Sequence, residues 1–239
     1  MLRRFKTSFL ALCLAALSLI GFIFSNGCCH HLVNSHIGLT IPEQISKHFI
    51  SIKVIDPRTG INTVVGSGVY IELDGKPQVI TAYHVWGLLS FISKLECVSA
   101  CYENECACIE PDAIWVGSID EDWAIVELPY QLIGSVPATL NTELQPIGAP
   151  VFAAGNPNGL AVVTHGMIAG YSILMEEPFP HYLVDGYAWF GSSGGGVFDS
   201  QGRLIGIMEA IDVFHIAEGS PNPNIYYVVP LREMGPLMD

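Results

Sequence analysis

From His48 onward the chain is written in short apolar runs, of which HFISIKVI (48–55), TVVGSGVYIEL (63–73) and PQVITAYHV (77–85) are the first three. Runs of this length, rich in Val, Ile, Tyr and Phe and bounded by turn residues at 57–60 and 74–75, predict successive strands joined by tight turns. No stretch sustains a helical period. The 24 glycines and 15 prolines in 239 residues also weigh against long helices and supply the turns that an all-β chain needs. AIWVGSI and DWAIVEL extend the first set. Periodicity is lost between Pro129 and Pro150, which predicts a connection between two subdomains. A second set follows: VFAAG, AVVTHGMIAGYSIL, HYLVD, GGVF, RLIGIMEAID and IYYVV. The tail LREMGPLMD has room for one short helix. The residues therefore predict two β units joined by a crossing segment.

The first 27 residues have a different composition. Arg3, Arg4 and Lys6 precede the uncharged apolar run FLALCLAALSLIGFIF (9–24) and then SNG. Basic residues before an apolar run, with small Ser25 and Gly27 ahead of Cys28, are the pattern of a cleaved signal peptide. An uncleaved anchor that tethers the protein to a membrane and a lipid-modified Cys28 are the alternatives. All three place the body of the protein outside the cytoplasm, in a periplasmic or extracellular location. A linker is expected over 28–44 and the folded domain over 45–239. The net charge is −13, and without the three N-terminal cations the rest of the chain carries about −16. Such a surface repels phosphate backbones, so nucleic acid is not an expected partner.

Cys97, Cys101, Cys106 and Cys108 cluster in CVSACYENECAC. In an exported chain the default is disulfides, and four cysteines allow three pairings. If residues 102–105 form a hairpin loop, Cys101 faces Cys106 and leaves Cys97 with Cys108. A zinc site and free buried thiols are the alternatives. The C-x3-C-x4-C-x-C spacing is not a standard zinc-ligand pattern, so no metal and no cofactor is expected.

Acyl transfer by a serine needs a base, an acidic group to orient that base, and donors for the developing oxyanion. Three stretches could supply them. In WFGSSGGGVF (189–198), glycines let neighbouring N–H groups converge on one pocket, although the same composition also describes a flexible loop. Ser193 is flanked by glycine more symmetrically than its rival Ser192, and the N–H groups of Gly191 and Ser193 become the oxyanion donors. His84 ends the apolar segment PQVITAYHV. The histidines at 30, 31 and 36 lie in the expected linker, His48 opens the first strand, and those at 165, 181 and 215 lack a comparable context. Asp122 leads directly into DWAIVEL, which puts its carboxylate at the edge of the core. Asp120 and Glu121 read as solvated turn acids.

TAYHV, DWAI and GSSGG occur in the order His, Asp, Ser. In that order the sequence resembles the trypsin-like, chymotrypsin-fold peptidases, and among them the bacterial HtrA/Deg branch. The resemblance runs from about Gly66 to Pro230. It includes Gly66-Ser67-Gly68-Val69, the element Gly155-Asn156-Pro157-Asn158-Gly159, VTHGMI (163–168), Asp185 eight residues before Ser193, and the closing strands RLIGI and YVVP.

The resemblance implies an all-β fold of two six-stranded antiparallel barrels, one over 45–130 and one over 149–239, joined by 131–148. It also implies a serine endopeptidase with His84, Asp122 and Ser193 as the catalytic triad and a polypeptide as substrate. Glu209, Ala210 and Ile211 become the edge strand that pairs with an extended substrate. Tyr187 stands where trypsin-type enzymes carry the acid that binds Lys or Arg. A small or medium apolar P1 residue is therefore expected.

Two positions depart from the family pattern. Ser192 replaces the usual Asn or Asp, and Gly196 replaces the usual Pro. The added glycine freedom raises the expectation of an oxyanion hole that is incompletely formed at rest. One rival reading is a catalytically silent binding module on the same fold. Another is the G-x-S-x-G elbow of α/β-hydrolases, whose Asp and His must follow the serine, and only 46 residues do. A third is an anchored structural protein whose working part is the cysteine hairpin.

Overall fold

The computed structural model describes residues 39–55, 62–92, 98–109, 113, 115–172, 181–212 and 222–235. The chain divides into Met1–Gly38 and Leu39–Asp239, and all described residues lie in the second unit. The apolar run 9–24, the turn at 57–60 and Cys97 lie outside them. Among the described residues no helix is long and apolar enough to cross a membrane.

The body begins inside the expected linker. Helix α1 (Ile41–Ile45) starts at Thr40, whose N–H and hydroxyl both donate to the Glu43 carboxylate, at 2.7 and 2.8 Å. A side chain reaching back in this way takes up a donor that a helix start leaves unpaired. Ile45 is fully buried and fixes the helix to the body.

Strands β1 (Phe49–Ile55), β2 (Asn62–Leu73) and β3 (Lys76–Ala82) follow as expected. The β2–β3 turn is formed by Asp74 and Gly75, both at positive φ (54° and 72°), the geometry that suits a two-residue hairpin. The segment expected to run as strand to Val85 stops at Ala82 and turns into helix α2 (Tyr83–Ile92). The reason is local: the carbonyl and carboxylate of Asp122 take the first two helical N–H groups, a signal that lies far away in sequence. Strands β4 (Val98–Tyr102), β5 (Glu105–Ile109), β6 (Trp115–Ser118) and β7 (Trp123–Glu127) complete the first half.

These form one antiparallel sheet of seven strands in the order β5-β4-β1-β2-β3-β7-β6. Seven strands stand where six were expected, because the cysteine hairpin contributes two of its own beside β1. Cys101 lies opposite Cys106 across that hairpin and is bonded to it, and Cys108 is also disulfide-bonded.

The second half is a closed barrel of six strands: β8 (Pro150–Gly155), β9 (Val162–Ser172), β10 (His181–Asp185), β11 (Gly196–Phe198), β12 (Leu204–Asp212) and β13 (Asn222–Pro230). The tail continues as a single 3-10 turn, Leu231–Glu233.

Successive residues of a strand face opposite sides of its sheet, and the core divides accordingly. Tyr70 and Val79 point into the first sheet's own core. Their neighbours Val69, Ile71 and Ile80 point the other way, against Phe198, Ile207 and Val229 of the barrel. Val197, Ile205 and Val228 fill the barrel itself. The two halves therefore share a dry middle layer. The connection 131–148 runs across both, with Leu132 buried in the first core and Ala138 in the middle layer. Its backbone is pinned by Ala138 N–H to the Tyr70 carbonyl (2.9 Å) and Asn141 N–H to the Leu204 carbonyl (2.7 Å).

Asp199 locks the turn after β11. Its carboxylate accepts from the N–H groups of Gln201 and Arg203 (2.8 and 3.0 Å), the Asn141 amide (3.0 Å) and Arg203 Nε (2.8 Å). Burial pushes its pKa up, but the hydrogen bonds from Arg203, Asn141 and Gln201 outweigh that and hold it below the ordinary 3.8. A carboxyl whose folded value is depressed stabilises the fold above its unfolded value, and that contribution is lost as the pH falls through the folded value. Asp199→Ala is expected to cost about 2–3 kcal/mol at neutral pH, since it leaves the buried Asn141 amide and the Gln201 and Arg203 donors of the turn without their acceptor. Denaturant titrations should show the gap between the two proteins closing as the pH is taken below 4.

Candidate active site

The junction of β3 and α2 places His84 in the first turn of a helix. Its main-chain N–H donates to Asp122 Oδ1 at 2.7 Å and its ring Nδ1–H donates to Oδ2 at 2.6 Å. One carboxylate thus caps the helix and sets the imidazole's orientation and tautomer. Asp122 reaches this position from the turn before β7 with φ at 51°. That left-handed conformation is one that Asp and Asn tolerate better than most residues. The Asp122 carboxylate is largely shielded, while the His84 side chain is 43% exposed and open to a reactant. Glu121 is used elsewhere, accepting from the indole N–H of Trp123 at 2.8 Å.

The serine loop lies between β10 and β11. Ser192 is buried at 4% exposure and its hydroxyl oxygen accepts the Trp189 N–H at 3.3 Å, closing a tight turn with Ser192 N–H to the Trp189 carbonyl (2.9 Å). Ser193 is less buried. Its hydroxyl donates to the Glu209 carbonyl at 3.4 Å, and among the described residues no hydrogen bond joins it to His84. The N–H groups of Gly191 and Ser193 have no acceptor among the described residues. Gly191 has φ of 95° and Gly194 of 79°. At Gly194 the loop passes so close to the first sheet that a Cβ would lie 2.1 Å from Thr81 Oγ1 and 2.3 Å from the Ser67 carbonyl. Only glycine meets both demands.

The first sheet holds this loop through Ser67 on β2. Ser67 N–H donates to the Ser193 carbonyl at 2.8 Å, and its hydroxyl donates to the Gly191 carbonyl at 2.7 Å. Val85, next to His84, and the Ser193 carbonyl both pack against Gly66. His84 and Ser193 therefore approach the same point of β2 from opposite halves of the fold. Ser67 and Asn156 belong to motifs of the sequence but carry no expected role. Their hydrogen bonds depend on tertiary contact alone, and the sequence signals for them are the Gly66-Ser67-Gly68 pattern and the Gly155-Asn156-Pro157-Asn158-Gly159 element.

The residues expected to bind substrate lie on β12 and beside the loop. Glu209 and Ala210 fall where the β12–β13 ladder breaks register, between the pairs Met208–Val228 and Ile211–Tyr226. Glu209 also pairs with buried His181, Nε2 to Oε2 at 3.1 Å, so its side chain turns away from bulk water. Tyr187 is 45% exposed and its carbonyl accepts the Thr164 hydroxyl at 3.3 Å. Trp189 and Phe190 contact each other edge to face at 5.4 Å, with Phe190 largely in solvent.

Gly196, which stands where proline is usual, opens β11 on the middle layer. A Cβ there would lie 2.6 Å from both Val69 Cγ2 and the Phe198 ring. Gly196→Ala is expected to cost about 1–3 kcal/mol by overpacking. Thermal unfolding of the purified variant checks this, and an unchanged Tm would mean that the layer has room to spare.

A family described as trypsin-like peptidase domain matches residues 66–207. Protease Do-like 1, chloroplastic, of Arabidopsis thaliana is 29% identical over 184 residues, covering 73% of this chain and 39% of that protein. The chain thus spans well under half the length of this relative. Among solved structures, Rv3671c from M. tuberculosis, a serine-to-alanine mutant in an inactive form, superposes with a TM-score of 0.61 at 18% identity. That match covers 88% of this chain and 92% of the other. An HtrA-type protease, a serine-to-alanine variant of AlgW with tripeptide, also gives 0.61, at 21% identity over 81% of this chain and 59% of the other. At these identities the two structures speak for the fold.

Proposed function

The chain belongs to the trypsin-like peptidase family, and from that premise we propose that it is a serine endopeptidase acting through His84, Asp122 and Ser193. The observation that carries this reading is the Asp122 carboxylate holding both the backbone and the ring of His84, beside the Gly66 contact with Ser193. Ser193 Oγ attacks the scissile carbonyl carbon while His84 Nε2 takes its proton. The Nδ1–H bond to Asp122 orients the ring and stabilises the imidazolium that forms. The carbonyl oxygen becomes an oxyanion received by the N–H groups of Gly191 and Ser193, which have no acceptor among the described residues. Collapse of the tetrahedral intermediate passes the proton to the leaving amine and leaves an acyl-enzyme. Water, deprotonated by His84, then releases the acid.

An extended polypeptide pairs with the edge formed by Glu209, Ala210 and Ile211. The Glu209 carbonyl that holds the Ser193 hydroxyl at 3.4 Å is then taken by a substrate N–H, and the hydroxyl turns towards His84. Tyr187, in the place of a Lys- or Arg-binding acid, favours a small or medium apolar P1 residue. Segment 1–27 exports the domain to the periplasm or the extracellular space and, if uncleaved, tethers it. The resting placement of the Ser193 hydroxyl on Glu209 favours one alternative, a silent binding module on the same fold.

Labelling by a fluorophosphonate probe separates the two. The full chain in mild detergent is expected to label, and Ser193→Ala is not. Failure of the wild-type protein to label leaves the silent module, and equal labelling of both moves the nucleophile away from Ser193. Asp122→Asn keeps a residue suited to the left-handed backbone and is expected to fold normally while losing about 10⁴-fold in kcat. Hydrolysis should also fall as the solution is made more acidic, because a protonated His84 cannot take up the serine proton. A rate flat from pH 8 to pH 5 would remove His84 from the base role.

A further inference from the structure

Ser67 is fully buried, and each of its polar atoms is committed across the boundary between the halves or to the next strand. Its hydroxyl accepts the Asn156 N–H at 2.9 Å and donates to the Gly191 carbonyl at 2.7 Å. Its N–H donates to the Ser193 carbonyl at 2.8 Å, and its carbonyl accepts the Thr81 hydroxyl at 2.7 Å. Asn156 is fixed in turn by its amide, which donates to Ser51 Oγ at 3.0 Å.

On the peptide plane that joins Gly191 to Ser192, the loop's own restraint is the Ser192 N–H bond to the Trp189 carbonyl at 2.9 Å. Gly191, Gly194 and Gly195 have no side chains to pack, and Gly191 sits at a φ of 95°. A backbone of this kind reorients its peptide planes readily. The plane joining Gly191 to Ser192 lies between the two N–H groups assigned to the oxyanion. If it turned over, the Ser67 O–H would lose its acceptor and the Gly191 carbonyl its donor beside a fully buried serine, a loss that proteins rarely tolerate.

We propose that Ser67 is the positioning residue of the oxyanion loop. Its hydroxyl, held by the Asn156 N–H, fixes the Gly191 carbonyl and so aims the N–H groups of Gly191 and Ser193. This rests on the reading of those two groups as oxyanion donors. The Ser67 hydroxyl touches no reacting atom and acts only through the loop. A hole held in this way needs no substrate to form it, despite four glycines between 191 and 196.

The test compares Ser67→Ala with Asn141→Ala, which removes a buried side-chain hydrogen bond, to Asp199, away from the loop. Removing an oxyanion donor outright costs about 10²–10³ in kcat. Loss of its positioning is expected to cost about 10- to 100-fold in kcat, with KM within about threefold. Affinity for a peptide boronic acid, whose tetrahedral adduct needs the hole, should fall in parallel. Asn141→Ala is expected to lower Tm while leaving kcat within about threefold. If Ser67→Ala does not fold, Ser67→Cys keeps the bulk and offers only a weak donor, and the same kcat and boronate losses are expected. A folded variant with wild-type kcat, or equal kcat losses in the Ser67 and Asn141 variants, would overturn the proposal. Failure of the wild-type protein to label with fluorophosphonate would instead overturn the protease reading beneath it.

Discussion

The middle layer, in which Val69, Ile71 and Ile80 of the sheet meet Phe198, Ile207 and Val229 of the barrel, is the constraint on which the site depends. His84 and Asp122 belong to one half and Ser193 to the other, so nothing within either half fixes the distance between them. Close-packed apolar side chains do, because interiors at near-crystal density resist small displacements. The strands of this layer have a dry face on both sides. That is why the inner stretches of β3 (79–82) and β7 (123–126) are buried and apolar but for Thr81, and why their ends beside Asp122 can carry polar groups at defined positions.

On that base the two halves of the chemistry are held by different means. The proposed base, His84, is held by charge: a shielded carboxylate makes two short hydrogen bonds to it, and such charge-assisted bonds are shorter and stronger than neutral ones. The proposed nucleophile, Ser193, is held by backbone. Gly194 wedges against Thr81 and Ser67, and the carbonyls of Gly191 and Ser193 are both gripped by Ser67. A loop that must approach another backbone within van der Waals contact has no room for side chains, and glycine-rich sequence is the result. The composition that resembles a flexible linker therefore arises from confinement.

The sequence made the strands legible because half-buried strands write their period into the residues. β10 and β13 and the Asp74–Gly75 turn fall where alternation and turn residues put them. The order His, Asp, Ser and the surrounding motifs carried the family. What stayed illegible depends on contacts between distant segments. Helix α2 replaces the end of an apolar strand because Asp122, 38 residues away, caps it. The first half has seven strands because the cysteine hairpin joins its edge. Ser67 is one serine among many until Gly191 and Asn156 are brought to it.

The two departures from the family pattern bear on whether this site is kept or decaying. At 192, where Asn or Asp is usual, the serine still presents a short side-chain oxygen to a backbone N–H, that of Trp189, which is what small polar residues do in such turns. At 196, where Pro is usual, the space a larger residue would need is filled by Val69 and the Phe198 ring, each in place at 2.6 Å from the missing Cβ. Both changes come with a matching local adjustment. A site released from selection has no reason to keep such matches. A loop with glycine at 194 wedged between Thr81 and Ser67, the N–H groups of Gly191 and Ser193 without an acceptor among the described residues, and an aligned imidazole–carboxylate pair across from it form a set whose parts are useful only together. That mutual dependence weighs for a working catalyst over a silent scaffold.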